Sequence, residues 1–429
     1  MLDAQAVVAR VREHALQVPH FSGALVAFSG GLDSSVLLHV LAAGGFAPIR
    51  AVYIDHGLQP EVAEQWHSHN KTFCRQLGVP LEVHRVAVET ARGASEEAAA
   101  RDARYAALTQ LARCGELVLT AHHESDQAET MLLQLLRGAG PDGLAAMAML
   151  GVLGDRALSR PLLDVSAGHI QAYARAHALR WFDDPSNARQ RFDRNFLRMN
   201  VLPIMRERWP GLDQTLARSA QWQAQAADLQ RQLAAADLRA VCVQDHSQLD
   251  CTALSRMSDA RRRNVVRFAI RSGALAVPPA TRLASLLALI AQSSGRGSVR
   301  WDGGMALRYR DTVYLLRELA PEPLAGWHTM LEPQVPSELP FALGRLTLNV
   351  DKPCDLALQV RFREGGERIA MSDGGHQSIA KWFQSHGVPP WRRSRTPLVF
   401  AGDELVAIGE YLLPAWPLQR VRSALQWAA

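Results

Sequence analysis

The sequence predicts an α/β fold, a doubly wound parallel sheet followed by a mainly helical domain and a small α/β C-terminal domain. Three observations carry this. Short apolar runs alternate with helical patterns as far as Arg137, the signature of parallel strands joined by crossover helices. Polar clusters follow three of those runs, at the strand ends where open α/β sheets bind ligands. Five prolines then fall between Pro321 and Pro340 and mark a boundary.

The chain opens with a charged amphipathic helix, MLDAQAVVARVREHAL, which is neither a signal peptide nor a membrane span. Leu25 to Phe28 has the length and composition of a buried strand. Val36, Leu37, Val40 and Leu41 follow at helical spacing. Between them, Ser29-Gly30-Gly31-Leu32-Asp33-Ser34 turns a strand into a helix through paired glycines. Such a turn lets the backbone approach a phosphate and points the first N–H groups of the helix at it. Ser29 and Ser34 can donate hydroxyl hydrogen bonds. Asp33 would repel a phosphate unless it holds Mg²⁺ or fixes the loop. A Walker-type loop ends in Lys followed by Ser or Thr. Here no Lys or Arg lies between Phe21 and Pro48, which disfavours ordinary γ-phosphoryl transfer.

Further strands are predicted at Ile49 to Ile54, ending in Asp55-His56-Gly57, at Leu81 to Val86 and at Leu117 to Thr120. The helices between them run from Glu61 to Leu77 and from Glu96 to Ala112. In the second, Glu97 to Arg101 fits either a surface ion pair or an Arg face turned to a nucleotide or RNA, with Arg104 and Tyr105 beside it. After the fourth strand, AHHESDQAET leads into a helix and sets His123, Asp126, Glu129 and Thr130 near one another. Carboxylates so placed can bind Mg²⁺ or an ammonium, and His123 can move a proton or touch a phosphate. Helix capping would equally explain Asp126 and Glu129, but not the histidines.

Asp164 to Arg180 reads as a helix, followed by the loop WFDDPSNARQRFDRNFLR. There Arg189, Arg191, Arg194 and Arg198 interleave with Phe192 and Phe196, a composition that suits single-stranded RNA or a solvated basic linker. Leu212 to about Ala240 is a long Ala- and Gln-rich helix. Helical sequence continues to Gln292, and a turn then precedes strands at Val299 to Trp301 and Ala306 to Arg310. Arg361 to Arg395 carries seven basic residues against three acidic ones. The expected domains are 1–210, 211–320, a linker at 321–340, and 341–429.

The formal net charge of +5 suits a nucleic-acid partner, and equally a mildly basic enzyme of small molecules. The five cysteines form no C-x-x-C pair, which argues against a zinc site, an iron–sulfur cluster or a disulfide scaffold and fits a reducing cytoplasm.

The SGGLDS loop resembles that of the ATP pyrophosphatases, in which the α-phosphorus is attacked and pyrophosphate leaves. The likeness is more specific once other segments join it. These are the DHG after the second strand, E-x-x-A-R-x-x-R-Y at Glu97 to Tyr105, and H-x-x-D-Q-x-E-T at His123 to Thr130. Arg137-Gly138, Arg160-Pro161-Leu162-Leu163, Asp184-Pro185-Ser186-Asn187 and Arg194-Asn195-Phe196-Leu197-Arg198 extend the series. Together they resemble the tRNA(Ile)-lysidine synthetase family, well as far as about Pro210 and again near the C-terminus. Members usually carry Asp where this chain has Ser125.

The resemblance implies an adenine nucleotide α-hydrolase-like fold and a cytoplasmic ligase, monomeric or homodimeric. Its substrates would be ATP with Mg²⁺, L-lysine and an isoleucine tRNA with a CAU anticodon. The wobble cytidine would be adenylated, then lysine would displace AMP to give lysidine. Ser29, Gly30, Gly31, Leu32, Asp33, Ser34 and Asp55 would bind ATP, and Asp33 and Asp126 the metal. Asp33, Arg101, His123, Asp126 and Glu129 would be catalytic. Arg194, Asn195, Arg198, Arg363, Arg368, Lys381, Arg392, Arg393 and Arg395 would hold the tRNA. Thiolation would want paired cysteines and amidotransfer a glutaminase domain, and the sequence offers neither. A non-catalytic RNA-binding protein would have no use for the intact loop and His123-Asp126.

Overall fold

A computed structural model describes residues 2–55, 60–86, 96–182, 193–292, 295–350, 357–371, 374–417 and 423–428, without the side chains of 60–63, 96–98 and 423. His56-Gly57, the side chain of Glu97, and Asp184 to Arg191 therefore lie outside the described residues. The chain forms two compact units, Met1–Gln230 and Arg231–Ala429.

The first unit begins with α1 (Ala4–Ala15), β1 (Gly23–Ala27), α2 (Leu32–Ala43), β2 (Ile49–Asp55), α3 (Pro60–Gln76) and β3 (Leu81–Arg85). It continues through α4 (Glu96–Leu111), β4 (Glu116–Leu119), α5 (Glu124–Leu136), α6 (Pro141–Leu144), β5 (Leu150–Leu153), β6 (Arg156–Ser159) and α7 (Ala167–Ala176). The strand order is β3-β2-β1-β4-β6-β5. All pairings are parallel except that of β5 with β6, a hairpin that returns the chain to the sheet edge. The sheet is doubly wound because successive side chains of a strand point to opposite faces. Ala24 and Val26 of β1, with Phe28 beyond it, pack with Val11, Leu37, Leu41, Phe73 and Ile170, from α1, α2, α3 and α7. Leu25 joins Val52, Leu108, Val118 and Leu158 on the α4 side. A short helix, α8 (Asp193–Phe196), runs through a π turn at Leu197–Val201 into α9 (Leu202–Arg208), and α10 (Leu212–Val241) is 30 residues long.

The second unit takes in the end of α10 from Arg231 and continues with β7 (Gln248–Asp250), α11 (Cys251–Ser255), α12 (Asp259–Ser272) and α13 (Ala280–Ala291). These helices cover a four-stranded sheet completed by β8 (Arg296–Trp301), β9 (Gly304–Tyr309) and β10 (Thr312–Leu316), in the order β7-β10-β9-β8. The rest is mainly β. Strands β11 (His328–Leu331), β12 (Ser337–Glu338), β13 (Arg345–Val350) and β14 (Leu358–Arg361) surround one apolar cluster. Within the segment expected as a linker at 321–340, β11 pairs antiparallel with β14 and β12 with β13, and the five prolines stand outside both strands. The part beyond is docked as well. Arg393 donates from Nη2 to the Tyr309 hydroxyl at 3.2 Å, and the Trp391 ring stands edge-on to Tyr314 at 5.2 Å. Among the described residues no helix is long and apolar enough to cross a membrane.

Candidate active site

The loop after β1 is shaped by its glycines and closed by its hydroxyls. Gly30 has φ +81°, and a Cβ there would lie 2.1 Å from Oδ1 of Asn70 on α3. Glycine is required twice over, by the backbone angle and by the close approach. Asn70 is fully buried, and among the described residues neither of its amide atoms has a hydrogen-bond partner. The Gly30 carbonyl accepts from the Phe182 N–H at 3.0 Å. Ser34 Oγ donates to the Gly31 carbonyl at 3.1 Å and sits 3.0 Å from Ser29 Oγ, so the two hydroxyls brace the turn. Gly31 caps α2 without any side-chain hydrogen bond. The Gly31 N–H donates to Ser29 Oγ at 3.3 Å and Asp33 stands in the first turn, so an anion bound at the positive end of α2 would meet both.

His123 caps α5. Its Nδ1 accepts from the Ser125 N–H at 3.2 Å, while Asp126 Oδ2 accepts from the His123 N–H at 3.0 Å, a reciprocal capping box. Because Nδ1 is an acceptor, the neutral ring carries its proton on Nε2. That atom lies 3.7 Å from Asp33 Oδ2 and 3.7 Å from Asp126 Oδ2. The capping explanation and the site explanation of Asp126 thus both hold. Gln127 is structural: its amide pairs with both backbone groups of Met147 at 2.8 Å. Neighbouring His122, 2.9 Å from Thr120 Oγ1, is pushed down to about 3 by burial, so it is uncharged at neutral pH.

Glu129, 1% exposed, lies one turn further along α5. Arg194 Nε donates to its Oε2 at 2.7 Å, and Arg198 donates to Oε1 from Nε at 2.6 Å and to Oε2 from Nη2 at 2.9 Å. Both guanidiniums also reach Asp126 Oδ1, at 3.3 and 3.4 Å. Arg194 and Arg198 are one helical turn apart, which puts both forks on one face. Burial pushes Asp126 up, but His123, His122 and Arg194 outweigh it and hold this carboxyl below its usual range. Asp33 goes the other way. Burial, with the Asp126 charge, raises it despite His123 and Arg198. The cluster holds three carboxylates and two guanidiniums around one imidazole.

Several sequence expectations change. Arg194 and Arg198, expected on RNA, have their forks on Glu129 and Asp126. Asn195 between them is buried rather than offered to a macromolecule. Arg101 is not drawn into contact with Asp33, His123, Asp126 or Glu129 among the described residues. Its guanidinium lies 5.1 Å over the Tyr105 ring, and only its charge reaches His122. Asp55 is buried at the end of β2, 3.6 Å from His67 Nε2 and 4.0 Å from Arg85 Nε. In the second unit Arg368, Lys381 and Arg392 are exposed. Arg363 leans on Glu367 at 3.8 Å. Arg393 and Arg395 are spent on the fold, donating to the carbonyls of Val388 and Ala320 at 2.9 and 2.7 Å. Sequence reasoning missed Asn70 and the link from Ser125 Oγ to Asp213 (2.7 Å), which Arg206 grips in turn at 2.8 Å. The W-H-S-H-N run at 66–70 was the available signal for Asn70. No local signal marks the Ser125–Asp213 link, whose partners are 88 residues apart.

Residues 5–205 match the PP-loop domain, 249–314 the TilS substrate binding domain and 358–420 the TilS substrate C-terminal domain. A tRNA(Ile)-lysidine synthase of Alkalilimnicola ehrlichii is 43% identical over 403 residues, 90% of this chain and 89% of its own. One from Xanthomonas axonopodis pv. citri is 40% identical, over 94% of this chain and 93% of its own. Among solved structures, the U34-tRNA thiolase NcsA from Methanococcus maripaludis covers 50% of this chain and 78% of its own, at 14% identity and TM-score 0.39. The three matched domains in their order, and relatives this similar over nearly the whole length, establish that the chain belongs to the tRNA(Ile)-lysidine synthase family.

Proposed function

We propose that this enzyme uses ATP to attach L-lysine to carbon 2 of the wobble cytidine of an isoleucine tRNA with a CAU anticodon. The observation that carries the reading is the glycine turn before α2, set beside the cluster of Asp33, His123 and Asp126. The loop from Ser29 to Ser34 binds the phosphates. The cytosine O2 attacks the α-phosphorus, pyrophosphate leaves, and the base is held as an adenylate. The lysine ε-amine then attacks carbon 2, the C–O bond breaks, and AMP leaves.

The donor set fits Mg²⁺. Asp33 and Asp126 converge on one imidazole, and this ion takes one or two carboxylates and fills its other positions with phosphate oxygens and water. When bound, Mg²⁺ neutralises charge on the phosphates. The protein's own groups divide the remaining work. Glu129 has both oxygens committed to guanidiniums, so it fixes Arg194 and Arg198 instead of acting as a base. His123 presents an N–H at Nε2 and donates to phosphate or carboxylate. The acceptor for the ammonium proton is then left to Asp126 or Asp33.

In the second unit, Arg363, Arg368, Lys381 and Arg392 hold the tRNA backbone away from the anticodon. Because the C-terminal part is docked through Arg393 and Trp391, it acts as a fixed platform instead of a tethered one.

The decisive test is mass spectrometry of the nucleosides after incubating tRNA, ATP and isotope-labelled lysine, with lysidine as the expected product. Asp33→Ala should abolish tRNA-dependent ATP–pyrophosphate exchange while tRNA still binds. Asp126→Asn should slow lysine transfer more than adenylation, so that adenylated tRNA accumulates. Equal loss of both steps would assign Asp126 to the metal alone.

A further inference from the structure

The second unit holds a cavity of about 320 Å³ at the closed end of the β8–β9 hairpin, lined by Arg300, Trp301, Gly304, Met305, Arg317 and Glu318 among others. The hairpin turns through Asp302-Gly303, with Gly303 at φ +79° as a two-residue turn demands. Trp301 is paired with Gly304 across it. A Cβ on Gly304 would fall 2.6 Å from the indole, so the ring lies directly against that backbone. Its Nε1 donates to the Ala276 carbonyl at 2.6 Å, yet the side chain remains partly exposed. The indole is thus clamped on one side and open on the other. Arg317 is held by the same connection between α12 and α13, through Nη2 to the Ala274 carbonyl at 3.2 Å. Arg300 is exposed and has no carboxylate partner among the described residues. Two guanidiniums against Glu318 leave a positive surplus.

A clamped indole is a stacking platform for a nucleobase, and unpaired guanidiniums are phosphate donors. The volume is at the lower end of ligand pockets, about 300–1,000 Å³, which admits one nucleotide and excludes a duplex. We infer that this cavity takes a single unstacked nucleotide of an RNA strand, its base on Trp301 and its phosphate between Arg300 and Arg317. The inference rests on the tRNA reading above and adds a contact point within it.

The test uses the full-length chain. Replacing Arg300 and Arg317 together with Ala should weaken tRNA binding about tenfold or more and lower the salt slope by about 1.4, two single-strand phosphate contacts' worth. Trp301→Leu should also weaken binding about tenfold but leave the salt slope unchanged, because stacking releases no counterions. Trp301→Phe should restore most of it. Melting curves will identify any variant that fails to fold. As a direct probe, a single-stranded RNA trinucleotide should shift the fluorine resonance of 5-fluorotryptophan-labelled Trp301, assigned by its absence in Trp301→Phe. Folded variants that bind tRNA like the wild type, or a resonance that does not move, would overturn the inference. A shift that survives loss of both arginines would overturn the phosphate assignment. A shift in a wild-type protein that fails to bind tRNA would keep the pocket and refute the tRNA reading instead.

Discussion

At the N-terminal ends of the parallel strands, Arg50 on β2 grips Glu116 on β4 through two bonds of 2.7 Å. At the C-terminal ends, Arg194 and Arg198 grip Glu129 with the same chemistry. The surroundings differ. Around Arg50 and Glu116 stand Glu82, 2.9 Å from Arg50, and Arg113, whose N–H donates to Glu116 at 2.7 Å. Two acids meet two bases there, and the network is closed across β1. Glu129 shares both guanidiniums with Asp126, and His123 Nε2 stands 3.7 Å from Asp126 and 3.7 Å from Asp33. One sheet therefore carries an ion cluster at one end that fastens strands, and at the other end one that stands beside the glycine turn, where the proposed substrates would bind.

Breaking each cluster should separate these roles. The largest effect is expected from Glu129→Gln, which frees two guanidiniums inside the site. Loss of one preorganised electrostatic group costs about 10²–10³ in rate. Single-turnover adenylation per folded molecule should fall by that much, in addition to the loss of about 3–5 kcal/mol of stability that breaking a buried pair costs at either end of the sheet. If the melting temperature collapses and the folded fraction reacts normally, the two ends do not differ in kind.

Glu116→Gln should cost stability alone. Breaking a buried pair by removing one partner costs about 3–5 kcal/mol of stability. Denaturant titration should read this loss, while turnover per folded molecule stays the same. The pH dependence sharpens the contrast. Burial pushes Glu116 up, but the Arg50 hydrogen bond and the Arg113 backbone bond outweigh it, so the folded carboxyl titrates below its ordinary range. A depressed acid contributes stability that is present above its unfolded value of about 4.3 and lost as pH falls through the folded one. Wild-type stability should therefore fall more steeply than that of Glu116→Gln as pH drops below about 4.3.

The smallest effects belong to the second unit, where the same distinction separates single arginines. Arg368→Ala or Lys381→Ala should lower the salt slope of tRNA binding by about 0.9 each, without affecting folding. Arg395→Ala should leave the slope alone and lower stability, because its fork is tied to the carbonyls of Ala320 and Trp391. Salt titrations and melting curves of the three variants would decide.

Much of the fold is legible because it is local. The apolar runs of β1 to β4 and the helical spacing between them lie where they were expected, to within a few residues. The β5–β6 hairpin was not. Its strands are four residues each and mixed in character, and β6 joins the sheet only because β4 has a free edge. The loop and His123, Asp126 and Glu129 are visible from strand ends and spacing. The partners of Glu129 are not, since 65 and 69 residues separate it from Arg194 and Arg198. A guanidinium in an exposed loop and one that closes a carboxylate cluster look alike in sequence. The prolines at 321–340 stand between short strands, His328–Leu331 and Ser337–Glu338, that are too brief to show in the sequence.

The glycine start of α2 has a calorimetric consequence. A helix whose N-cap is Gly forgoes only a few tenths of a kcal/mol relative to one with a capping side chain. If a triphosphate occupies this turn, as proposed above, its own binding free energy, not the missing cap, sets what the native state gains. At nucleotide concentrations a hundredfold above Kd, linkage adds about 2.7 kcal/mol to the native state. On that proposal the stability of this enzyme would be a joint property of the chain and its substrate, and a purified sample stripped of nucleotide would understate it.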